Sequence, residues 1–286
     1  MAVVSTGFFD GVHLGHRKIL TTLVNSARER DDKSLVITFW PHPRIVLQND
    51  ASILRLLSTQ EEKMQIMKSI GVDDVKVLEF TSGFAALTTR EYIGMLISDF
   101  EARTLVLGYD NRIGSDMLPV QETARIAREL GLEVIVVEAE HRDSVPTSSS
   151  GIRRLLAEGQ VKAAAGLLGD SYRITGAVVS GKRLGRTIGY PTANTQLREP
   201  LKMLPSRGAY VTKVEVKGKE YFGMTNVGDI VETHIFDFSE DIYGLDIRIS
   251  FLDRLRDPLR FSSVEELKNQ LQIDEISAKK LIFEVQ

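Results

Sequence analysis

The chain has 286 residues, 43% of them apolar, a formal net charge of -3 and no cysteine. That length suits two domains of about 100–200 residues each, and the apolar share can build real cores. The charge gives no general attraction to nucleic acid or an anionic membrane surface, and the missing cysteine excludes disulfides, thiolate chemistry and cysteine-based metal sites.

No apolar run is long enough to span a bilayer, and no export signal of the basic-then-apolar kind opens the chain. The expected setting is cytoplasmic, with neither membrane nor nucleic acid as a partner; the sequence leaves a homo-oligomer open.

The first predicted strand, Ala2–Val4, runs into Gly7-Phe8-Phe9-Asp10-Gly11-Val12-His13-Leu14-Gly15-His16, and a helical pattern follows from about Arg17. Three glycines allow close approach of backbone to a ligand, and a helix start offers N–H groups to an anion. His13 and His16, three apart, fall on one face of that helix start and suit a phosphate chain. A plain tight turn with surface histidines has the same spacing.

Further strand-like runs are Ser34–Phe39, Asp74–Phe80, Thr104–Gly108 and Leu132–Val137, with helical patterns between them. Ser58 and Thr59 before Glu61 and Glu62, and Thr88 before Glu91, read as capping boxes; Gly71 and Gly131 read as helix stops, and Pro119 as a first helical residue. Short apolar strands alternating with helices predict a doubly wound parallel sheet, whose ligands sit beyond the carboxyl ends of the strands.

Four loops stand at those ends. After Gly7–His16 comes Trp40-Pro41-His42-Pro43-Arg44, where two prolines stiffen the backbone that presents His42 and Arg44. Gly108-Tyr109-Asp110-Asn111-Arg112-Ile113-Gly114 offers groups that can grip a polar ring. Ser148-Ser149-Ser150-Gly151-Ile152-Arg153-Arg154 starts a helix with hydroxyl caps and bidentate phosphate donors. A rigid turn, a polar loop and a simple N-cap are the ordinary alternatives. One shared pocket accounts for all four loops more simply than four coincidences do.

In order and spacing over residues 3–168, these motifs resemble the adenylyltransferase half of bacterial FAD synthetase, a nucleotidyltransferase of the H-x-G-H type. The motif set is Gly7-x-Phe9-Asp10-Gly11-x-His13-x-Gly15-His16, Thr38-Phe39-x-Pro41-His42-Pro43 and Ser148-Ser149-Ser150-x-Ile152-Arg153. The resemblance implies an ATP site on Gly7, Phe9, Asp10, Gly11, His13, Gly15, His16, Ser148, Ser149 and Arg153, with His13, His16 and Arg153 catalytic. It places FMN near His42 and Asp110. FMN phosphate would attack the α-phosphorus of Mg²⁺-ATP and expel pyrophosphate, by positioning and charge neutralisation without a covalent protein intermediate. The sequence departs at Phe8, where the family commonly has asparagine, at Ser150 for threonine, and at Ile113 for an aromatic residue.

Leu155–Gly169 is a helical pattern, so the boundary is expected near Gly169, giving domains 1–169 and 170–286. The pattern then becomes Tyr172–Ser180, Ala209–Val216, Glu220–Asn226, Val231–Phe238 and Leu245–Leu252, with Lys217-Gly218 as a hairpin turn. Strands in succession predict a small antiparallel β-barrel, and Ser262 or Ser263 with Glu265 or Glu266 opens a terminal helix. Gly181, Gly185 and Gly189 with Lys182, Arg183 and Arg186 read as a flexible cationic flap over a polyphosphate. Thr192 and Asn194 supply hard oxygen donors suited to Mg²⁺ carried by ATP. The spacing is not that of a Walker loop. A basic surface hairpin is the ordinary alternative.

In Val231–Phe238, alternation puts Glu232, His234, Phe236 and Phe238 on one face, which suits a general base against an aromatic ligand, or an exposed edge glutamate. Pro191-Thr192-Ala193-Asn194, with Glu232, Asp237-Phe238 and Tyr243-Gly244, resembles riboflavin kinase over residues 171–286. That resemblance makes Glu232 the base for the terminal ribityl hydroxyl. It puts kinase ATP on Gly181, Lys182, Gly185, Gly189, Thr192 and Asn194, with Mg²⁺ on Thr192 and Asn194. The family's Arg-Pro-Thr loop is missing between Gly228 and Glu232; either it is truly absent or the chain is broken there, and a break between Gly228 and Asp229 is the expectation.

Together the two resemblances imply a bifunctional riboflavin kinase/FMN adenylyltransferase with riboflavin, FMN and FAD as substrates and products. The alternatives are a riboflavin kinase with a weakened adenylyltransferase domain, a non-catalytic flavin or nucleotide sensor, and an RNA-binding protein. The retained Thr192, Asn194 and Glu232 speak against the sensor, and the acidic balance against RNA.

Overall fold

The computed structural model describes residues 1–48, 54–142, 145–181 and 184–285. Its contacts divide it into two compact units, Met1–Ser149 and Ser150–Gln286.

The first unit is built on parallel strands β1 (Ala2–Thr6), β2 (Lys33–Trp40), β3 (Asp74–Glu79), β4 (Ala102–Gly108) and β5 (Glu133–Val137), in the order β3-β2-β1-β4-β5. Between them run a 3-10 turn at Asp10–Val12, α1 (Leu14–Glu29), α2 (Pro43–Gln48), α3 (Gln60–Ile70), α4 (Ser82–Ala85), α5 (Thr89–Phe100) and α6 (Val120–Glu129). The strands are almost wholly apolar because both faces of the sheet are covered. Val4, Ile37 and Leu105 pack toward Ile93 and Leu96 of α5 and Ala127 of α6. Their neighbours Val3, Val36 and Val106 point the other way, onto Leu20 and Leu23 of α1 and Met67 of α3. The strand order reverses between β1 and β4, so the crevice at their carboxyl ends is where a ligand is expected.

The helix signals behave as their chemistry requires. Thr59 with Glu62 and Thr88 with Glu91 form reciprocal capping boxes. Gly71 takes the left-handed conformation, φ 104°, that ends α3. Pro119 caps α6 in an extended conformation instead of starting it, one residue from the expectation.

After a small hairpin, β6 (His141–Arg142) and β7 (Val145–Pro146), α7 (Ser149–Ala157) leads into the second unit and α8 (Val161–Leu168) follows. There β8 (Tyr172–Val179), α9 (Leu184–Thr187), β9 (Ala193–Leu197), β10 (Gly208–Val216), β11 (Lys219–Val227), β12 (Val231–Ile235), β13 (Asp246–Arg256) and α10 (Val264–Val285) complete the chain. The strands close a barrel in the order β10-β11-β12-β9-β8-β13. Three fully buried threonines, Thr212, Thr225 and Thr233, satisfy one another in a hydroxyl chain with both links at 2.9 Å. Lys217 and Gly218 form the two-residue hairpin turn, with φ of 52° and 73°.

Two expectations are corrected here. β9 did not read as a strand, yet it pairs with β8 on one side and β12 on the other and closes the barrel. The expected break between Gly228 and Asp229 is absent: Val227 pairs with Val231, and the Gly228 N–H donates to Ile230 O at 3.2 Å. Residues 228–230 are a short hairpin loop, which suffices to join adjacent antiparallel strands.

Candidate functional site

The turn after β1 is held in an unusual shape. Phe9 and Val12 have φ of 53° and 41°, left-handed values that strain a residue with a Cβ, and Gly11 has φ 78°. Such strain costs of order 1–3 kcal/mol per residue and persists only where surroundings enforce it. Asp10 supplies much of that enforcement. Its buried carboxylate accepts from the backbone N–H groups of Leu57, at 3.0 and 3.1 Å, and Ser58, at 3.1 Å, and Ser149 Oγ donates to Asp10 O at 3.0 Å. The N–H groups of two of the three glycines are used within the protein, since Gly7 donates to Ile37 O and Gly11 to Ser58 Oγ, each at 3.0 Å. Gly7 and Gly11 therefore contribute shape. Phe9 is a core residue, 5% exposed, whose ring lies edge-on to His16.

His13 caps α1, its Nδ1 accepting from the His16 N–H at 3.4 Å, and the two imidazoles stack with centroids 3.6 Å apart. Burial, with His13 and Lys63 nearby, holds the His16 pKa well below the usual histidine value, so His16 is neutral near pH 7. Its Nδ1 is buried with no partner in the protein, an orphan that a bound group would satisfy. A cavity of about 190 Å³ opens on His13, Gly15, His16, Asp110, Ser148 and Ser149. The structure thus gathers residues from the β1, β4 and α7 loops. His42 lies outside this lining and packs edge-on against Phe8, centroids 4.1 Å apart. Ile113, the departure in the β4 loop, is buried in the core and not turned to a ligand. Arg153 is half-buried one turn along α7, in the second unit.

In the barrel, β9 and β12 bring Asn194 opposite Glu232. With the Asn194 amide turned to suit its neighbours, its N–H₂ donates to Glu232 Oε1 at 3.3 Å and its O accepts from the Gly181 N–H at 3.2 Å. Asn194 is 7% exposed, and a Cβ on Gly181 would lie 1.4 Å from its side chain. Gly181→Ala is therefore expected to displace Asn194 and lower any chemistry at Glu232 by about 10²-fold, measured as initial rate against wild type.

Two cavities flank this pair. One, about 330 Å³, is lined by Arg186, Thr192, Thr233, Phe238 and Tyr243. The other, about 360 Å³, is lined by Thr192, Glu232, His234, Met224, Phe261 and Leu271. Thr192 borders both. His234 Nδ1 bonds Pro191 O at 2.8 Å and so steadies the residue before Thr192. Tyr190 donates to Glu275 Oε2 at 2.9 Å; burial and that carboxylate push the phenol up to about 12. Thr192 and Glu232 line one cavity, and both carry hard oxygen donors of the kind that suits Mg²⁺.

Two expectations change. Glu232 and His234 share a side, but Phe238 does not: Asp237 turns left-handed at φ 54°, ends the alternation, and sends Phe238 to the other cavity. The segment after Gly181 is not a loose flap from Leu184 onward, because Tyr190 donates to Gly185 O and Ile188 and Tyr190 are buried in the core. Gly185 is needed there, since a Cβ would stand 2.1 Å from Tyr190 O, and Gly189 has φ 89°. Lys182 and Arg183 lie outside the described residues. Residues the sequence did not suggest are Lys63, under the β1 turn, and Arg256, Leu259, Phe261 and Asp274, which line the cavity beside Glu232.

Comparison with known proteins adds the family. Residues 1–151 match the FAD synthetase model and residues 168–282 the riboflavin kinase model. The bifunctional riboflavin kinase/FMN adenylyltransferase of Listeria monocytogenes is 33% identical, over 96% of this chain and 90% of its own. The protein of that description from Escherichia coli K12 is 33% identical, over 97% and 92%. A crystal structure from Streptococcus pneumoniae, described as a macrolide-efflux protein, superposes with a TM-score of 0.91 at 34% identity, covering 97% of this chain and 94% of that one. In this chain no described helix is long and apolar enough to cross a membrane.

Proposed function

Because the chain belongs to the bifunctional riboflavin kinase/FMN adenylyltransferase family, we propose that its two reactions run at two separate places, the barrel and the β1 turn. The enzyme phosphorylates riboflavin to FMN with ATP, then adenylylates FMN with ATP to FAD and pyrophosphate. We assign adenylyl transfer to residues 1–169 and the kinase to 170–286, dividing them where α8 ends at Gly169.

The kinase assignment rests above all on Thr192, which borders both of the cavities that flank Asn194 and Glu232, while Glu232 borders one. ATP fits the cavity with Arg186 and Tyr243, and the isoalloxazine fits the one walled by Met224, Phe261 and Leu271. The terminal ribityl oxygen then meets the γ-phosphorus beside Thr192. Glu232 takes the hydroxyl proton as the new O–P bond forms and the bond to the β–γ bridging oxygen breaks, releasing ADP. Asn194 fixes the Glu232 carboxylate, with Gly181 making room for it. Thr192 and Asn194 would hold Mg²⁺, which neutralises phosphate oxygens when bound.

At the β1 turn, His13, His16, Ser148 and Ser149 line the place for the ATP phosphates, and Asp10, Gly7, Gly11 and Gly15 give it shape. Asp110 and His42 are assigned to FMN, and Arg153 is assigned to ATP on the family motif alone. An FMN phosphate oxygen attacks the α-phosphorus, the bond to the α–β bridging oxygen breaks, and pyrophosphate leaves. The orphaned Nδ1 of neutral His16 suits a hydrogen bond to a phosphate oxygen as charge builds there. Chromatography of a mixture of riboflavin, ATP and Mg²⁺ tests the reading, with FMN expected first and FAD after it.

A further inference from the structure

Beneath the β1 turn sits a charged group for which neither reaction has yet a use. Lys63, on α3, is 1% exposed. Its ammonium donates to Phe8 O at 2.8 Å and Thr38 Oγ1 at 2.9 Å, and lies 4.1 Å from the centroid of the Phe8 ring. Phe8 O also accepts from Thr38 Oγ1 at 3.3 Å. A buried ammonium without a carboxylate in direct contact is costly, and such groups are kept where they organise something.

Here the organised element is plain. Leu57 and Ser58, just before α3, hold the carboxylate of Asp10 on one side of the left-handed Phe9. Lys63 holds the carbonyl of Phe8 on the other side. The Phe8 ring passes the constraint on, since it meets the ammonium and also stands edge-on to His42 at 4.1 Å. One short stretch, residues 57–63, thereby fixes the shape of the phosphate turn and the place of the histidine assigned to FMN.

We infer that Lys63 is a positioning residue for adenylyl transfer, acting as an ammonium that locks the Gly7–Gly11 turn and, through the Phe8 ring, His42. This rests on the placement of adenylyl transfer at that turn. The groups facing Lys63 are Asp10 from the turn, His16 with His13 stacked on it from α1, and His42 across Phe8. β2 supplies the hydroxyl of Thr38, and Glu62 on its own helix is turned to the Thr59 N–H. Burial pushes Lys63 down to about 8, with Asp10 opposing. The ammonium is present below that value and lost above it. Between there and the ordinary lysine value the unfolded chain binds more protons than the folded one, so this residue makes stability rise with pH. Adenylyl transfer is expected to fall over the same interval. A role in holding the fold alone would not set the two in opposite directions.

The test uses the full chain, with Lys63→Met, Lys63→Arg and His16→Ala beside wild type. Folding of the first unit is followed by the fluorescence of Trp40, the single tryptophan. Lys63→Met is expected to make FMN from riboflavin at the wild-type rate, while kcat/KM for FMN in FAD formation falls about 10²-fold. Wild-type FAD formation should fall from about pH 7 to about pH 9.5 with a midpoint near 8, as thermal stability holds or rises, and Lys63→Arg should remove that decline. FAD formation by folded Lys63→Met within about threefold of wild type overturns the inference. So does a flat wild-type profile, which needs no variant to fold. If His16→Ala also makes FAD normally, it is the placement of the reaction at this turn that fails.

Discussion

Glu232→Gln should stop FMN formation almost completely and leave FAD formation from supplied FMN at the wild-type rate. The amide keeps the shape of the carboxylate but cannot accept the ribityl proton, and a positioned general base contributes about 10²–10⁴-fold. Expressed as a barrier, the loss is about 2.7–5.4 kcal/mol. The partner Asn194 makes the substitution a clean one, because the glutamine carbonyl oxygen can accept from the Asn194 N–H₂ as the carboxylate did, with Asn194 still accepting from the Gly181 N–H. The loss should therefore appear in kcat, with riboflavin binding little changed, in a fixed-time assay read by chromatography of the flavins. A variant that phosphorylates riboflavin within about tenfold of wild type would remove Glu232 from the role of base.

His16→Ala should do the reverse. Its imidazole is half-buried, neutral and stacked on His13, and its buried Nδ1 has no partner in the protein. On the proposed placement of the ATP phosphates, a hydrogen-bond donor to phosphate at that position is worth about 10²–10³-fold when removed. FAD formation from FMN should fall by that factor, while riboflavin is still converted to FMN. His16→Gln should recover part of the loss, since its amide can again donate to phosphate. Equal loss of both reactions in folded His16→Ala would show that the two activities share a centre.

Much of this was legible in the sequence because it is local. Gly7–His16 and Pro191–Asn194 each place their chemistry within a few residues, and the Thr59–Glu62 and Thr88–Glu91 caps are signals of three-residue reach. The apolar runs of β1, β2 and β4 announced a sheet covered on both faces, as the two cores confirm. What failed depended on distant partners. β9 begins after a proline and carries Asn194, Thr195 and Gln196, a polar run that reads as loop; it is a strand because β8 and β12 stand on either side to pair with it. Phe238 was misplaced because a left-handed Asp237, which nothing in a period-two pattern signals, bends the chain away. Lys63 reads as one more charge on an amphipathic helix, and only its contact with Phe8, 55 residues earlier, gives it meaning. The wall of the cavity beside Glu232 likewise comes from Phe261 and Leu271, far from Glu232 in the chain.

The central claim is that two independent centres divide the work within one chain. It is tested most directly by mixing purified Glu232→Gln and His16→Ala proteins in one tube with riboflavin, ATP and Mg²⁺, and following FAD by chromatography. Each variant alone should give almost no FAD from riboflavin. The mixture should give it readily, because FMN released by the His16→Ala chains is adenylylated by the Glu232→Gln chains. A mixture that makes no more FAD than the two variants do separately, although FMN accumulates in it, would contradict the account.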